Sequence, residues 1–115
     1  MRRGEVWWAE LRPRSGSEQR GDRPVIVVSH DGFNRTPSWQ SIIVVPLSTY
    51  ATQARRGPTA VAIPRGAGGV ARASVALCHQ VTTLDREKLV RQLGALPASL
   101  LADLESGLKA ALDLS

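Results

Sequence analysis

The chain has 115 residues, a formal net charge of +5 and one cysteine. This length predicts a single domain over residues 1–115 with a substantial hydrophobic core, and one cysteine excludes an intrachain disulfide. No apolar run approaches the roughly 20 residues that span a bilayer, and the amino terminus lacks a signal-peptide pattern, so we expect a cytoplasmic protein without a membrane partner.

Segments with strand or helix patterns follow one another along the chain. Apolar or alternating runs predict strands over residues 5–11, 24–29, 41–48, 58–64, 74–81 and 90–94. Turn residues occupy 30–34 and 66–69, and residues 85–89 are typical of one helical turn. From Pro97 onward, leucines recur at helical spacing. The pattern predicts a mainly β (α+β) fold, a small barrel or two curled sheets of five or six strands with a C-terminal helix.

Several side chains within these elements carry specific expectations. Alternation in the first strand places Val6 and Trp8 on one face, with Trp8 in the core, and Trp7 on the other face. Pro46 indicates a sheet edge or a bulge near the end of the third strand. Cys78 lies in an apolar run and is expected to be buried.

The positive charge is carried mainly by arginine and is unevenly distributed. Residues 1–72 hold 11 basic and 5 acidic residues, whereas residues 73–115 hold 4 and 5. Arginine makes planar, bidentate contacts with phosphate. The first two-thirds of the chain therefore favour a polyanion-binding surface, with a merely solvated arginine-rich surface as the alternative.

The polar stretch over residues 16–24 runs directly into an apolar strand. Such a strand holds the charged groups of the preceding loop rigidly at a surface, so Arg23 is a candidate functional residue. The motif Gly-Ser-Glu-Gln-x-Gly-x-Arg-Pro in this stretch resembles the signature loop of the MazF/PemK toxin family. The resemblance extends over nearly the whole chain, through motifs at residues 3–8, 34–36, 45–49 and 74–78.

The resemblance implies a fold, an activity and partners. The implied fold is an SH3-like barrel with appended helices, and the implied activity is that of a sequence-selective endoribonuclease, the toxin of a type II toxin–antitoxin pair. Such a toxin acts as a homodimer on single-stranded RNA or mRNA and is neutralised by a cognate, MazE-like antitoxin laid across its RNA groove.

The residues themselves are compatible with metal-free RNA cleavage. The sequence has no His, Cys and carboxylate cluster at metal-ligand spacing and no phosphate-binding glycine loop, so we expect neither a metal nor a cofactor. In RNA the nucleophile is the substrate's own 2′-hydroxyl, and cleavage leaves a 2′,3′-cyclic phosphate and a 5′-hydroxyl.

Three residues are the catalytic candidates. Arg23, which matches the family's catalytic arginine, would stabilise the charged phosphorane; its structural alternative is an ion pair with an acidic neighbour. Ser48, at the end of the third strand, keeps the hydroxyl of the threonine that the family often carries there, although Thr49 beside it could take this place. Glu18 would act as a base or hold Arg23 in position.

A second set of residues is expected to contact RNA without cutting it. These RNA-binding candidates are Gln19, Arg20, Thr49, Arg55 and Arg56. Trp39 could stack on a base or cap the core, and nothing in the sequence brings His30 and His79 together as an acid–base pair. Two rival functions are a gyrase-inhibiting toxin like CcdB and a non-catalytic RNA-binding barrel.

Overall fold

A computed structural model describes residues 1–11, 21–49 and 57–115 of the chain. The strands are β1 (Glu5–Ala9), β2 (Arg23–Val27), β3 (Ser41–Ser48), β4 (Ala60–Ile63), β5 (Ser74–Leu77), β6 (Thr82–Asp85) and β7 (Leu89–Ala95). The helices are α1 (Asp31–Asn34) and α2 (Ala98–Leu112), and short 3₁₀ turns lie at Gly57–Thr59, Ala67–Gly69, Cys78–Gln80 and Arg86–Lys88. None of the helices in these described ranges is long and apolar enough to cross a membrane.

The strands form one antiparallel sheet in the order β4-β5-β3-β2-β1-β7, with β6 paired to β3. The predicted mainly β fold, with curled antiparallel strands and a C-terminal helix, is confirmed. The described residues contain seven strands, more than the five or six expected. The run predicted as one strand over residues 74–81 ends at Leu77, where the turn at Cys78–Gln80 begins. The extra strand, β6, follows this turn beyond the predicted run, and β5 and β6 pair with different parts of β3.

This change of partner also corrects the expectation for Pro46. β3 is a central strand, not an edge: residues 41–44 pair with β6, and residues 47–48 pair with β5. Pro46 pairs with Val25 of β2 on the other side. Its missing N–H therefore falls between two ladders, where a strand tolerates it.

Apolar side chains form a cluster on each face of the sheet. The larger cluster includes Val6, Ile26, Val45, Leu47, Ile63 and Leu104 and packs against α2. The second includes Val25, Val27, Ile42, Val44, Leu84 and Leu89. Trp7 packs against the second cluster, as predicted, because alternation along β1 points it away from the face of Val6.

Helix α2 lies close to the sheet at Gly107. A β-carbon on Gly107 would meet Cys78 Sγ and Val61 Cγ2, each at 2.8 Å. Cys78 is fully buried, as predicted, and burial raises the pKa of its thiol to about 11. The close packing of α2 against the sheet therefore offsets the stability that the helix loses through the low helix propensity of Gly107.

The residues before β3 form a compact corner. The predicted turn at residues 30–34 is one helical turn, α1, whose first N–H groups are capped when Gly32 N donates to His30 Nδ1 at 2.8 Å. Asn34 is 1% exposed and donates through Nδ2 to Ser29 O and to Asp31 Oδ1. The motif at residues 34–36 thus has a structural role at Asn34.

Candidate active site

Arg23 and Ser48 are brought together by the pairing of β2 with β3. The register pairs Val25 with Pro46 and Ile26 with Val45. Continued by two residues, this antiparallel register sets Arg23 opposite Ser48. The two leading catalytic candidates of the sequence therefore stand side by side at one end of the sheet.

The backbone of β3 helps to position the guanidinium of Arg23. This side chain is half-buried, and Nη1 donates to the carbonyl oxygen of Leu47 at 3.4 Å. Leu47 itself is 2% exposed in the core. A guanidinium has five N–H donors in a fixed fork whose geometry matches the oxygens of a phosphate.

The two side chains line a cleft of about 320 Å³ at this end of the sheet. Its described lining residues are Trp8, Asp22, Arg23, Pro24, Leu47, Ser48, Thr49, Val70, Ala71, Arg72 and Ser74. The charged members are two guanidinium groups and one carboxylate, which gives this lining a net positive charge. A concave, positively charged site with hydroxyl groups suits a phosphodiester.

Ser48 and Thr49 both line the cleft but differ in depth. Ser48 is 3% exposed at the cleft floor, whereas Thr49 is exposed. The sequence left open which hydroxyl belongs to the site. The opposition to Arg23 and the burial single out Ser48 as the more rigidly placed of the two.

Several lining residues were not among the candidates from the sequence, and Trp8, Arg72 and Ser74 are three of them. Trp8, expected in the core, is half-buried and lines the cleft instead. Arg72 lies in the segment that leads into β5, and Ser74 is the first residue of β5. The Ser74 hydroxyl donates to the carbonyl oxygen of Arg72 at 2.9 Å. The one sequence signal for Arg72 is its place just before an apolar strand, the same place that Arg23 has before Pro24.

The other candidates fall into two groups. The residues Glu18, Gln19, Arg20, Arg55 and Arg56 lie outside the described residues. His30 and Trp39 lie at the opposite end of β3, about 20 Å away at ~3.3 Å per residue.

Trp39 stacks on Phe33 with ring centroids 4.6 Å apart, and its indole N–H donates to Ser41 O. His79 lies on the exposed surface of the turn between β5 and β6, and neither histidine is among the described lining of the cleft. In the same described ranges, no three His, Cys, Asp or Glu residues are grouped to hold a metal ion.

The architecture defines a class: small curled-sheet proteins with a cationic cleft at one end of the sheet. Residues 2–112 match the family described as "PemK-like, MazF-like toxin of type II toxin-antitoxin system". The chain belongs to this family.

Curated relatives extend over nearly the full chain. Endoribonuclease MazF9 of Mycobacterium tuberculosis is 36% identical over 99% of this chain and 98% of its own length. Endoribonuclease EndoA of Bacillus subtilis is 33% identical over 99% of this chain and 96% of its own length.

Solved structures agree with the fold. MazF of Deinococcus radiodurans superposes with a TM-score of 0.79 at 27% identity, covering 97% of this chain and 96% of that one. A chain of the MazE–MazF structure from the same organism superposes with a TM-score of 0.74 at 26% identity, covering 98% and 96%.

Proposed function

We propose that this chain is the toxin of a toxin–antitoxin pair and that it cuts single-stranded RNA, including mRNA, at selected sequences without a metal ion, thereby blocking translation. The observation that carries the proposal is the opposition of Arg23 and Ser48 in a cationic cleft. It is supported by membership of a toxin family in which relatives at 33–36% identity are named endoribonucleases.

The chemistry assigned to the cleft is an internal transfer within RNA. The 2′-oxygen attacks the adjacent phosphorus, the bond from phosphorus to the 5′-oxygen breaks, and the products carry a 2′,3′-cyclic phosphate and a 5′-hydroxyl. The guanidinium of Arg23 stabilises the charge that develops on the phosphoryl oxygens, and a permanently charged donor does so at any working pH. Ser48 contacts the phosphate or the 2′-oxygen from the cleft floor.

The proton leaves the 2′-hydroxyl to a general base and another proton reaches the 5′-oxygen as it departs. Glu18 is our candidate for the base or for the residue that holds Arg23. Gln19, Arg20, Arg55 and Arg56 remain candidates for positioning the RNA, together with Thr49 at the cleft rim.

The partners follow from the family. We propose a homodimer that is neutralised by a cognate MazE-like antitoxin covering the cleft, and a cytoplasmic location, where mRNA is found. In support, a crystal structure of MazE–MazF from Deinococcus radiodurans contains a chain that is similar to this one.

The test is incubation of the protein with single-stranded RNA in EDTA, followed by analysis of the new ends. We expect 2′,3′-cyclic phosphate and 5′-hydroxyl ends, and Arg23→Ala should slow cleavage by roughly 100-fold or more, the usual cost of losing a donor to a developing oxyanion. Arg35→Ala, an exposed arginine far from the cleft, is the matched control.

Intact RNA across several sequences would refute the nuclease proposal, and inhibition of gyrase instead would favour the CcdB-like rival. Binding without cutting would favour the RNA-binding barrel. Cleavage that depends on added magnesium would refute the mechanism, and an Arg23→Ala variant as fast as the wild type would refute the role of that arginine.

The neighbouring hydroxyls provide a second comparison. Ser48→Ala should lower kcat while Thr49→Ala leaves it nearly unchanged, because only Ser48 is buried opposite Arg23. The reverse order would place the working hydroxyl on Thr49.

A further inference from the structure

The indole of Trp8 lies where the main core meets the cleft. Trp8 is on the same face of β1 as Val6, but its side chain is only half-buried. Leu47 and Val70 belong both to the core cluster and to the cleft lining. Trp8 thus continues an apolar surface out of the core and into a cleft that also carries the cationic groups of Arg23 and Arg72.

The hydrogen bonds of the three tryptophans set Trp8 apart. The indole N–H of Trp7 donates to Glu5 Oε1 at 2.9 Å, and that of Trp39 donates to Ser41 O at 2.7 Å. Within residues 1–11, 21–49 and 57–115, the indole N–H of Trp8 makes no hydrogen bond. Tryptophans at binding surfaces commonly combine an apolar ring with a polar N–H directed at a ligand.

The strand register relates Trp8 to the reacting groups. Trp8 pairs with Pro24 of β2, the residue directly after Arg23. Arg23 itself pairs with Ala9, and its side chain and the Trp8 indole both line the same cleft. A ligand whose phosphate contacts Arg23 in this cleft places its neighbouring groups within reach of the indole. For a polynucleotide those neighbouring groups are a sugar and a base.

We infer that Trp8 holds a nucleobase of the RNA by stacking, at a nucleotide next to the cleaved bond, with its indole N–H as a donor to the same nucleotide. This inference rests on the proposed function, because it names how that cleft holds its substrate. Stacking on an aromatic ring suits any base, so Trp8 contributes affinity and position, while the choice of base lies elsewhere.

The test is a double-mutant cycle between Trp8 and the base it contacts. The cleavage site is first mapped on a long transcript. A ten-nucleotide RNA across that site, with a 2′-O-methyl group on the attacking nucleotide, then serves as an uncleavable probe. Abasic nucleotides replace each base in turn, and affinity is measured for the wild type and for Trp8→Leu, which keeps an apolar side chain without an aromatic ring.

The wild type should lose roughly 5- to 150-fold in affinity at one abasic position beside the cleaved bond, and Trp8→Leu should lose nothing further at that position. Trp8→Phe should recover most of the affinity, because it restores a ring. On cleavable RNA, Trp8→Leu should raise KM by a similar factor with kcat little changed. Trp7→Leu, the adjacent tryptophan on the opposite face of β1, is the matched control and should leave the abasic profile unchanged.

Additive losses at every position, or a Trp8→Leu variant that binds as tightly as the wild type, would overturn the inference while leaving the nuclease proposal in place. If the protein binds RNA but does not cut it, the same cycle on the bound oligonucleotide decides the stacking role on affinity alone. If the wild type binds no RNA, both proposals fail. A thermal unfolding curve for each variant separates loss of binding from loss of folding.

Discussion

Arg86 provides a sharp test of how the corner before β3 is held in place. Its guanidinium donates to four backbone carbonyl oxygens: through Nε to Trp39, through Nη1 to Asn34, and through Nη2 to both Phe33 and Thr36. The donor–acceptor distances are 2.8 Å for Trp39 and 3.0 Å for the other three. One side chain thus satisfies carbonyl groups at the end of α1 and in the connection to β3.

Replacement of Arg86 by methionine removes the charge and all four bonds while keeping most of the apolar stem. A hydrogen bond contributes about 0.5–1.5 kcal/mol net, more when the donor is charged, but three of the four bonds are exposed and water can replace them. We therefore expect a loss of about 2–3 kcal/mol in the free energy of unfolding. For a chain of this size that corresponds to a decrease in Tm of roughly 8–12 °C.

The measurement is urea unfolding followed by fluorescence or circular dichroism, with Arg35→Met as the matched control. Arg35 is exposed, and its ion pair with Asp31 at 3.7 Å spans one helical turn, so its loss should cost only a few tenths of a kcal/mol. Arg86→Lys should lose most of the stability as well, because one ammonium cannot span four carbonyl groups. If Arg86→Met were no less stable than Arg35→Met, the four hydrogen bonds of Arg86 would not be what stabilises the residues before β3.

Three further predictions concern separate groups. The binding constant K for single-stranded RNA should fall less steeply with salt in Arg72→Ala, with the slope of log K against log salt reduced by about 0.7, as expected for one lost phosphate contact. Arg65→Ala, outside the described cleft lining, is the control and should leave that slope unchanged. Equal slopes for both variants would exclude the Arg72 contact. Burial raises the pKa of the Cys78 thiol from 9.0 to about 11, so at pH 8 the native protein should react with thiol reagents far more slowly than the protein in urea. For the same reason, the free energy of unfolding should decline as pH rises from 9 towards 11. Rapid labelling of the native protein would contradict the burial. Hydrogen bonds from the backbone of Arg3 and from the Asn34 amide lower the pKa of Asp31 below 3.8. The carboxylate therefore stabilises the folded state above that pH, and this contribution is lost as pH falls through the lower pKa of the folded state. In urea titrations, the difference in free energy of unfolding between the wild type and Asp31→Asn should disappear below about pH 4.

Much of the sheet could be predicted from local patterns. The bounds of β3 agree with the predicted segment because a β-branched apolar run has a clear start and end. The break between β5 and β6 was missed because residues 78–80 contain neither glycine nor proline. That turn depends on long-range pairing with two parts of β3, which no short window of sequence contains.

The cleft shows the same division between local and distant information. Arg23 and Ser48 could be selected because each lies at the end of a recognisable strand. Trp8 was placed on the correct face, but alternation does not tell how far along that face the core extends. Arg72 depends on the turn at Ala67–Gly69, where Gly69 has φ +81° and a β-carbon would lie 2.0 Å from Leu93 O. That backbone-to-backbone approach to β7 fixes the segment that carries Arg72, and only the folded chain reveals it.

Because β3 exchanges partners along its length, we expect its ladders with β5 and with β6 to open separately. Leu47 and Ser48 depend on β5, whereas residues 41–44 depend on β6, and Pro46 supplies no amide to couple the two ladders. A fluctuation that releases β5 therefore loosens the cleft floor while the ladder at the other end of β3 stays closed. In this fold, the floor of the cleft can open locally while the other strands of the sheet remain paired.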